Sequence, residues 1–415
     1  MVAVTTSLRR DATVAGLVGL AHFSSHFFQL ALPPLFPLMK DAFGVSYTAL
    51  GAIVTVFFTA SGVCQAFAGI LVDRFGARGI LALGISLLAG SIACAGLVPD
   101  FWMLYPLAAL AGIGNSIFHP ADFSIMTSKI DKSRLGRAYS IHAFLGTSGY
   151  AASPVVIGGI AAIFNWHIAL VAAGLAGIVV ALVISRADAL IVERHAHAAE
   201  GAGRPVTISY ARLITMPAIM MAFAYFALIA AGGVGLQAFS IAALIEILKP
   251  VQAVLSESLG TPVHVASVAL TAYLAASACG MLAGGALADK TSRHHVVASI
   301  GLFTAGFLML ILAATASSYW PILLLMAAAG FSSGATSPSR DMLIRGATPP
   351  GSTGKVFGFV YSGLDLGALL GPLAFGLIID HAEPRDIFYA VGALFILAIT
   401  TVLQVRRQTL RAANA

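Results

Sequence analysis

The sequence predicts an all-α membrane protein of twelve transmembrane helices, arranged as two pseudo-symmetric six-helix halves. Three observations lead there. Hydrophobic residues make up 59% of the 415 residues and charged residues only 10%, too little polar material to clothe a soluble body. Twelve apolar runs, each near the roughly 20 residues that cross a bilayer, alternate with short segments that hold nearly all the charge. One charged loop is also written twice, as Gly69-ILVDRFGA-Arg78 and Gly285-ALADKTS-Arg293, each time closing one apolar run and opening the next.

The first run, 14–39, follows Arg9 and Arg10, and its length exceeds the roughly 7 to 15 apolar residues of a signal peptide, so it reads as a helix that stays. Runs 46–72 and 79–98 flank the first charged loop, and 102–127 and 138–163 flank a basic segment holding Lys129, Lys132, Arg134 and Arg137. The sixth run, 166–186, ends at Arg186. A polar linker, 188–213, then joins an N-terminal half, 1–187, to a C-terminal half, 214–415. Between runs 214–240 and 263–288 lies more sequence than a turn needs, interrupted by Glu246, Lys249, Pro250 and Glu257. This reads as an extended seventh helix followed by a short interfacial one. Runs 295–316, 319–343, 356–379 and 386–405 complete the set.

Orientation follows from lysine and arginine, which are retained on the cytoplasmic side. With both termini cytoplasmic, all of the 23 Lys and Arg except Lys40, Lys249 and Arg385 fall at cytoplasmic loops, tails or helix ends. The net charge of +6 therefore reflects topology, and no nucleic-acid partner is implied. Cys64, Cys94 and Cys279 sit inside runs at unrelated spacings, which gives neither a disulfide framework nor a metal site. No nucleotide-binding loop, cofactor motif or nucleophile with its base is present, so the chain reads as neither an ATP-driven pump nor an enzyme.

The duplication extends beyond the loop. An offset of 218 residues superposes Gly112 on Gly330, Pro120 on Pro338, Gly149 on Gly367 and Pro154 on Pro372. This pairs the fourth run with the tenth and the fifth with the eleventh, as two parallel six-helix repeats require.

With Gly69, Leu71, Asp73, Arg74, Gly76 and Arg78 between the second and third runs, the chain resembles the major facilitator superfamily over essentially its whole length. The second copy keeps Gly285, Leu287, Asp289, Lys290 and Arg293 but has Ser292 where the last glycine belongs. The resemblance implies the major facilitator fold, alternating access, a monomer, and a cytoplasmic gate at Asp73, Arg74, Arg78, Asp289 and Arg293. A solvated loop that only fixes topology is the other reading of those charges. Asp122 and Asp341, near cytoplasmic helix ends, are expected to join the gate, Asp122 by bonding Arg74 or Arg78 and Asp341 by bonding Arg293 or Arg345. The stripe Gly363, Gly367 and Gly371, Gly149 with Pro154, and Gly280 with Gly284 fit the superfamily's rocking contacts between halves, or tight packing without motion. Gly149-YAASPVVI-Gly158-Gly159 is similar to the superfamily's antiporter pattern, although Ser153 replaces a glycine, and Ala108 stands where the fourth helix of many members has arginine. Ala21-HFSSHFFQLALPPLFPLM-Lys40 and Phe118-His119-Pro120 resemble the fosmidomycin-resistance-type efflux branch.

Ionisable residues within spans mark candidate function, because a charge at bilayer centre costs roughly 2.5 to 3.5 kcal/mol on insertion scales. Asp365, near the middle of the eleventh run, reads as a proton-titrating or ligand-contacting carboxylate, or as a buried hydrogen-bonding group. His22 and His26, one turn apart with Gln29 near the same face, read as a cavity lining suited to proton exchange. No third ligand is identifiable beside them, so no metal site is expected. Asn115 belongs to the same candidate set, His119 and His142 are expected to line the cytoplasmic half of the path, and Arg340 is expected to meet an anionic substrate. The expected function is secondary active transport of a small organic solute, leaning to an anion, across a bacterial-type inner membrane by proton-coupled efflux. The alternatives are an importer or facilitator of a carboxylate or sugar-like nutrient, and a non-transporting sensor or scaffold.

Overall fold

Apolar runs close their backbone hydrogen bonds internally as helices, since nothing in a bilayer core satisfies an open N–H or C=O. The structure, a computed structural model, describes residues 8–192, 212, 215–349 and 353–413, so most of the expected linker 188–213 lies outside the described residues. The helices are α1 (Leu8–Gln29), α2 (Phe36–Phe43), α3 (Tyr47–Phe75), α4 (Ala77–Ala95), α5 (Leu104–Asn115), α6 (Phe118–Lys129), α7 (Leu135–Ile163) and α8 (Trp166–Arg186). They continue with α9 (Pro217–Leu248), α10 (Gln252–Leu259), α11 (Pro262–Ala288), α12 (His294–Thr315), α13 (Tyr319–Ala347), α14 (Thr353–His381) and α15 (Asp386–Ala413).

Two expected spans are broken helices. The first ends at Gln29 and resumes through a 3-10 turn, Pro33–Leu35, into α2, because Pro33, Pro34 and Pro37 remove donors and fix the backbone. The fourth divides at Ser116 and Ile117, where Pro120 has no N–H to offer the carbonyl of Ser116. The region after the seventh span forms as expected: α9 runs to Leu248, and the short α10 follows a 3-10 turn. Among the described residues ten helical stretches are long and apolar enough to cross a membrane, and α1 and α13 fall short of that measure. Those two carry His22, His26 and Gln29, and Ser332, Ser333, Ser337 and Arg340, respectively.

The chain forms two compact units, one of Met1–Val45 and Ala52–His195, the other of Ser46–Gly51 and Ala196–Ala415. In the first, α1 packs on α7, and α4 on α5 and α8. In the second, α9 packs on α14 and α15, α11 on α13, and α12 on α13 and α15. Glycine sets the closest approaches. A Cβ on Gly112 of α5 would strike the carbonyl of Phe57 on α3, and one on Gly330 of α13 would strike that of Tyr273 on α11. Likewise a Cβ on Gly84 would lie 2.9 Å from the carbonyl oxygen of Gly114, and one on Gly301 2.9 Å from that of Ser332. The two repeats thus share backbone contacts at equivalent positions.

The small-residue stripes correct one expectation. Gly363, Gly367 and Gly371 abut the carbonyls of Phe223, Ala227 and Ala231 on α9, Gly280 and Gly284 abut α13, and Gly149 abuts the carbonyl of Phe23 on α1. These stripes are close packing inside each unit, because only a missing Cβ lets the two backbones meet. Pro154 lies inside α7 beside them, buried.

Candidate functional site

The break between α5 and α6 puts Asn115 at the end of one helix and His119 and Asp122 on the first turns of the next. Both face α1. His22, Ser25, His26 and Gln29 recur on α1 every three or four residues and so share one stripe. Gly146 of α7 completes the approach, since a Cβ there would press into the His22 ring.

Asp122 is wholly buried. Its Oδ2 lies 2.9 Å from Nε2 of His142 and 3.5 Å from Nδ1 of His22, the first a hydrogen bond and the second an ion-pair distance. The His22 ring stacks on His142 with centroids 3.7 Å apart and planes 19° from parallel. His26 meets the same ring edge-on at 4.4 Å, and His119, which is exposed, lies 5.3 Å from it. A neutral seam continues from there. The His26 ring meets Tyr150 at 4.2 Å, and the Tyr150 hydroxyl donates to Oε1 of Gln29 at 2.6 Å. Nε2 of Gln29 and the Ser25 hydroxyl both donate to Oδ1 of Asn115, at 3.1 and 2.9 Å, and Nδ2 of Asn115 donates to the Ser61 hydroxyl at 2.9 Å. One polar network therefore joins α1, α3, α5, α6 and α7 inside an apolar bundle.

Three expectations change here. Asp122 bonds His142, not Arg74 or Arg78, because it points into the bundle rather than to the helix end. Arg78 pairs instead with Asp188 at 3.0 Å, and Arg74 lies over the Phe75 ring. A candidate donor set also exists where none was expected, although His26 is not part of it: His22, Asp122 and His142 place one ligand atom each within 4.8 Å of one another. Asp341 bonds neither Arg293 nor Arg345; it accepts from Nε of its neighbour Arg340 at 2.9 Å and from the Tyr361 hydroxyl at 3.1 Å. Arg340 is thus neutralised in place, with its guanidinium 4.7 Å over the Phe226 ring. Asp365 belongs to the second unit and is exposed, on the face of α14 turned away from Gly363 and Gly367.

Asp73, Arg74, Asp289 and Arg293 are exposed as well. The doubled loop is not one structure repeated. Gly76 alone separates α3 from α4 and takes φ +91°, a conformation glycine accepts freely, whereas five residues, 289–293, separate α11 from α12 with no positive φ among them. That is why Ser292 is tolerated. Sequence reading missed Tyr150, Ser25, Ser61 and Gly146, which carry no motif, and the ion pair of Asp11 with Arg134, whose Nη2 lies 2.7 Å from Oδ2 of Asp11. Between α6 and α7, the N–H and hydroxyl of Ser133 donate to Oδ1 of Asp131 and hold that carboxyl below its ordinary pKa.

Fold and site together define a polytopic membrane protein with a polar interior, the class in which solute transporters fall. The chain belongs to the Major Facilitator Superfamily, which it matches over residues 18–247 and 234–415. It is 26% identical over 409 residues to the fosmidomycin resistance protein of Escherichia coli K12, covering 96% of this chain and 94% of that one. A shorter stretch of 127 residues is 33% identical to the multidrug resistance protein MdtG of Salmonella typhi, covering 30% of this chain and 31% of that one. Among solved structures, a bacterial homolog of the human lysosomal transporter Spinster, inward-facing and unoccupied, matches with a TM-score of 0.78 at 16% identity over 98% of both chains. The nucleoside transporter NupG matches at 0.76 with 12% identity, over 94% of this chain and 99% of that one. At such identities the likeness is one of fold. The chain is a multi-pass membrane transporter of small molecules rather than an enzyme.

Proposed function

We propose that this transporter exports a small organic solute across the inner membrane by alternating access, in exchange for protons. The observation that carries the reading is the hydrogen-bonded seam of Ser25, Gln29, Asn115, Ser61 and Tyr150 inside the first unit. Amides and hydroxyls in an apolar bundle are costly unless hydrogen-bonded, and a solute with its own donors and acceptors can take the place of one of these partners. The names of the fosmidomycin and multidrug resistance proteins to which the chain is similar support outward movement. The two halves, 1–187 and 214–415, would rock about the solute, with Asp73, Arg74, Arg78, Asp289 and Arg293 at the cytoplasmic gate. Asp365, a lone carboxylate midway along α14, is the proton-coupling group in this reading.

Reconstituted vesicles test it. An imposed pH gradient should drive uphill solute flux, and Asp365→Asn should abolish gradient-driven flux while leaving downhill exchange. Unchanged gradient-driven flux in Asp365→Asn would remove Asp365 from the coupling. In cells, an uncoupler should raise solute accumulation; a fall would mean import.

A further inference from the structure

The geometry points to a binding site for one divalent transition-metal ion, of the kind Zn2+ represents, at His22, Asp122 and His142 within the first unit. Three helices, α1, α6 and α7, each supply one donor, and all three residues are buried. The two nitrogens lie 3.5 and 2.9 Å from the shared Oδ2 of Asp122. Those values bracket the roughly 3.3 Å between ligand atoms in a tetrahedral site with bonds near 2.0 to 2.1 Å. Two imidazoles and a carboxylate suit Zn2+, Co2+ or Ni2+ better than Ca2+ or Mg2+, and three protein donors leave a fourth position open.

A second observation points to a cation. Oδ1 of Asp122 is buried without a hydrogen-bond partner, the buried Nδ1 of His22 has only its 3.5 Å contact with Oδ2, and no Lys or Arg pairs with Asp122 among the described residues. A buried carboxylate is expensive unless a charge compensates it, and a bound dication would do so. The stacked rings of His22 and His142 need one adjustment, a turn of one imidazole about Cβ–Cγ, which is a soft torsion. Gly146 keeps room for that ring. Exposed His119, 5.3 Å from the His22 ring, marks the side from which an ion would enter. This inference goes beyond the transport reading, and its test measures binding alone.

The test uses the full chain in detergent, purified without a polyhistidine tag and stripped with a chelator, then titrated with Co2+. The expected result is a saturable visible absorption at about one equivalent, bleached by Zn2+ as Co2+ is displaced. Asp122→Asn and His142→Gln should each weaken binding by more than the roughly 10- to 100-fold that loss of a supporting partner costs. Gly146→Ala, which displaces His22 without removing a donor, should fall inside that range. His264→Gln, in the second unit, should bind as the parent does. Gel filtration and thermal unfolding report which variants are folded. No saturable Co2+ signal in the folded parent, or unchanged affinity in the folded His142→Gln and Gly146→Ala variants, overturns the site.

Discussion

Asp122 takes its role from His142, a partner on another helix across a loop whose course no local pattern fixes, so its place near a helix end does not make it a gate residue. The stripe of His22, His26 and Gln29 was legible because helical periodicity alone puts those side chains on one face. Gly76 was legible as a motif but not as a reason; its φ of +91° supplies the reason. Gly76→Ala should therefore cost about 1 to 3 kcal/mol, read as a lower unfolding midpoint in detergent. Ser292→Ala should stay within about 0.5 kcal/mol, since no residue of its loop has positive φ. Asp11 and Arg134 form a mostly buried pair that also accepts the N–H of Asp131 at 3.3 Å. Asp11→Ala should lose about 1 to 3 kcal/mol, and the same unfolding assay would register an indifferent Asp11 as no shift.

At the scale of helices, length and apolarity placed most span ends to within a few residues, with helices ending at Leu248 and Ala413 running eight residues past the apolar runs, while the two breaks went unread because proline permits either a kink or a stop. Pro120 coincides with a break, whereas its repeat partner Pro338 sits inside continuous α13. The difference is tertiary, so one chain segment could not announce it. The role of the glycine stripes was also unreadable: spacing shows that a helix can approach closely, not which neighbour it meets. The structure assigns the neighbours, and a contrast follows. Gly330→Ala and Gly112→Ala should each destabilise by about 1 to 3 kcal/mol through overpacking. Gly79→Ala and Gly285→Ala, with nothing within 4 Å of the added Cβ, should be neutral or slightly stabilising. Thermal unfolding of the four variants side by side decides it, and equal losses in all four would refute the packing assignment.

For the molecule as a whole, composition and the 218-residue offset were enough to foresee a duplicated helical membrane protein, because both express global constraints that every segment obeys. The expected topology puts Lys40 outside and Arg345 inside. In a background lacking Cys64, Cys94 and Cys279, Lys40→Cys should react with an impermeant maleimide in intact cells and Arg345→Cys should not; the reverse pattern would invert the chain. The duplicated contacts carry a genetic consequence of their own. At Gly112 and Gly330 the obstacle to a side chain is a carbonyl oxygen, of Phe57 and Tyr273, whereas at Gly19 it is the Leu145 side chain. Defects at Gly19 should therefore yield intragenic suppressors that shorten Leu145. Defects at Gly112 or Gly330 should revert only at the original codon, because no amino-acid replacement removes a backbone oxygen.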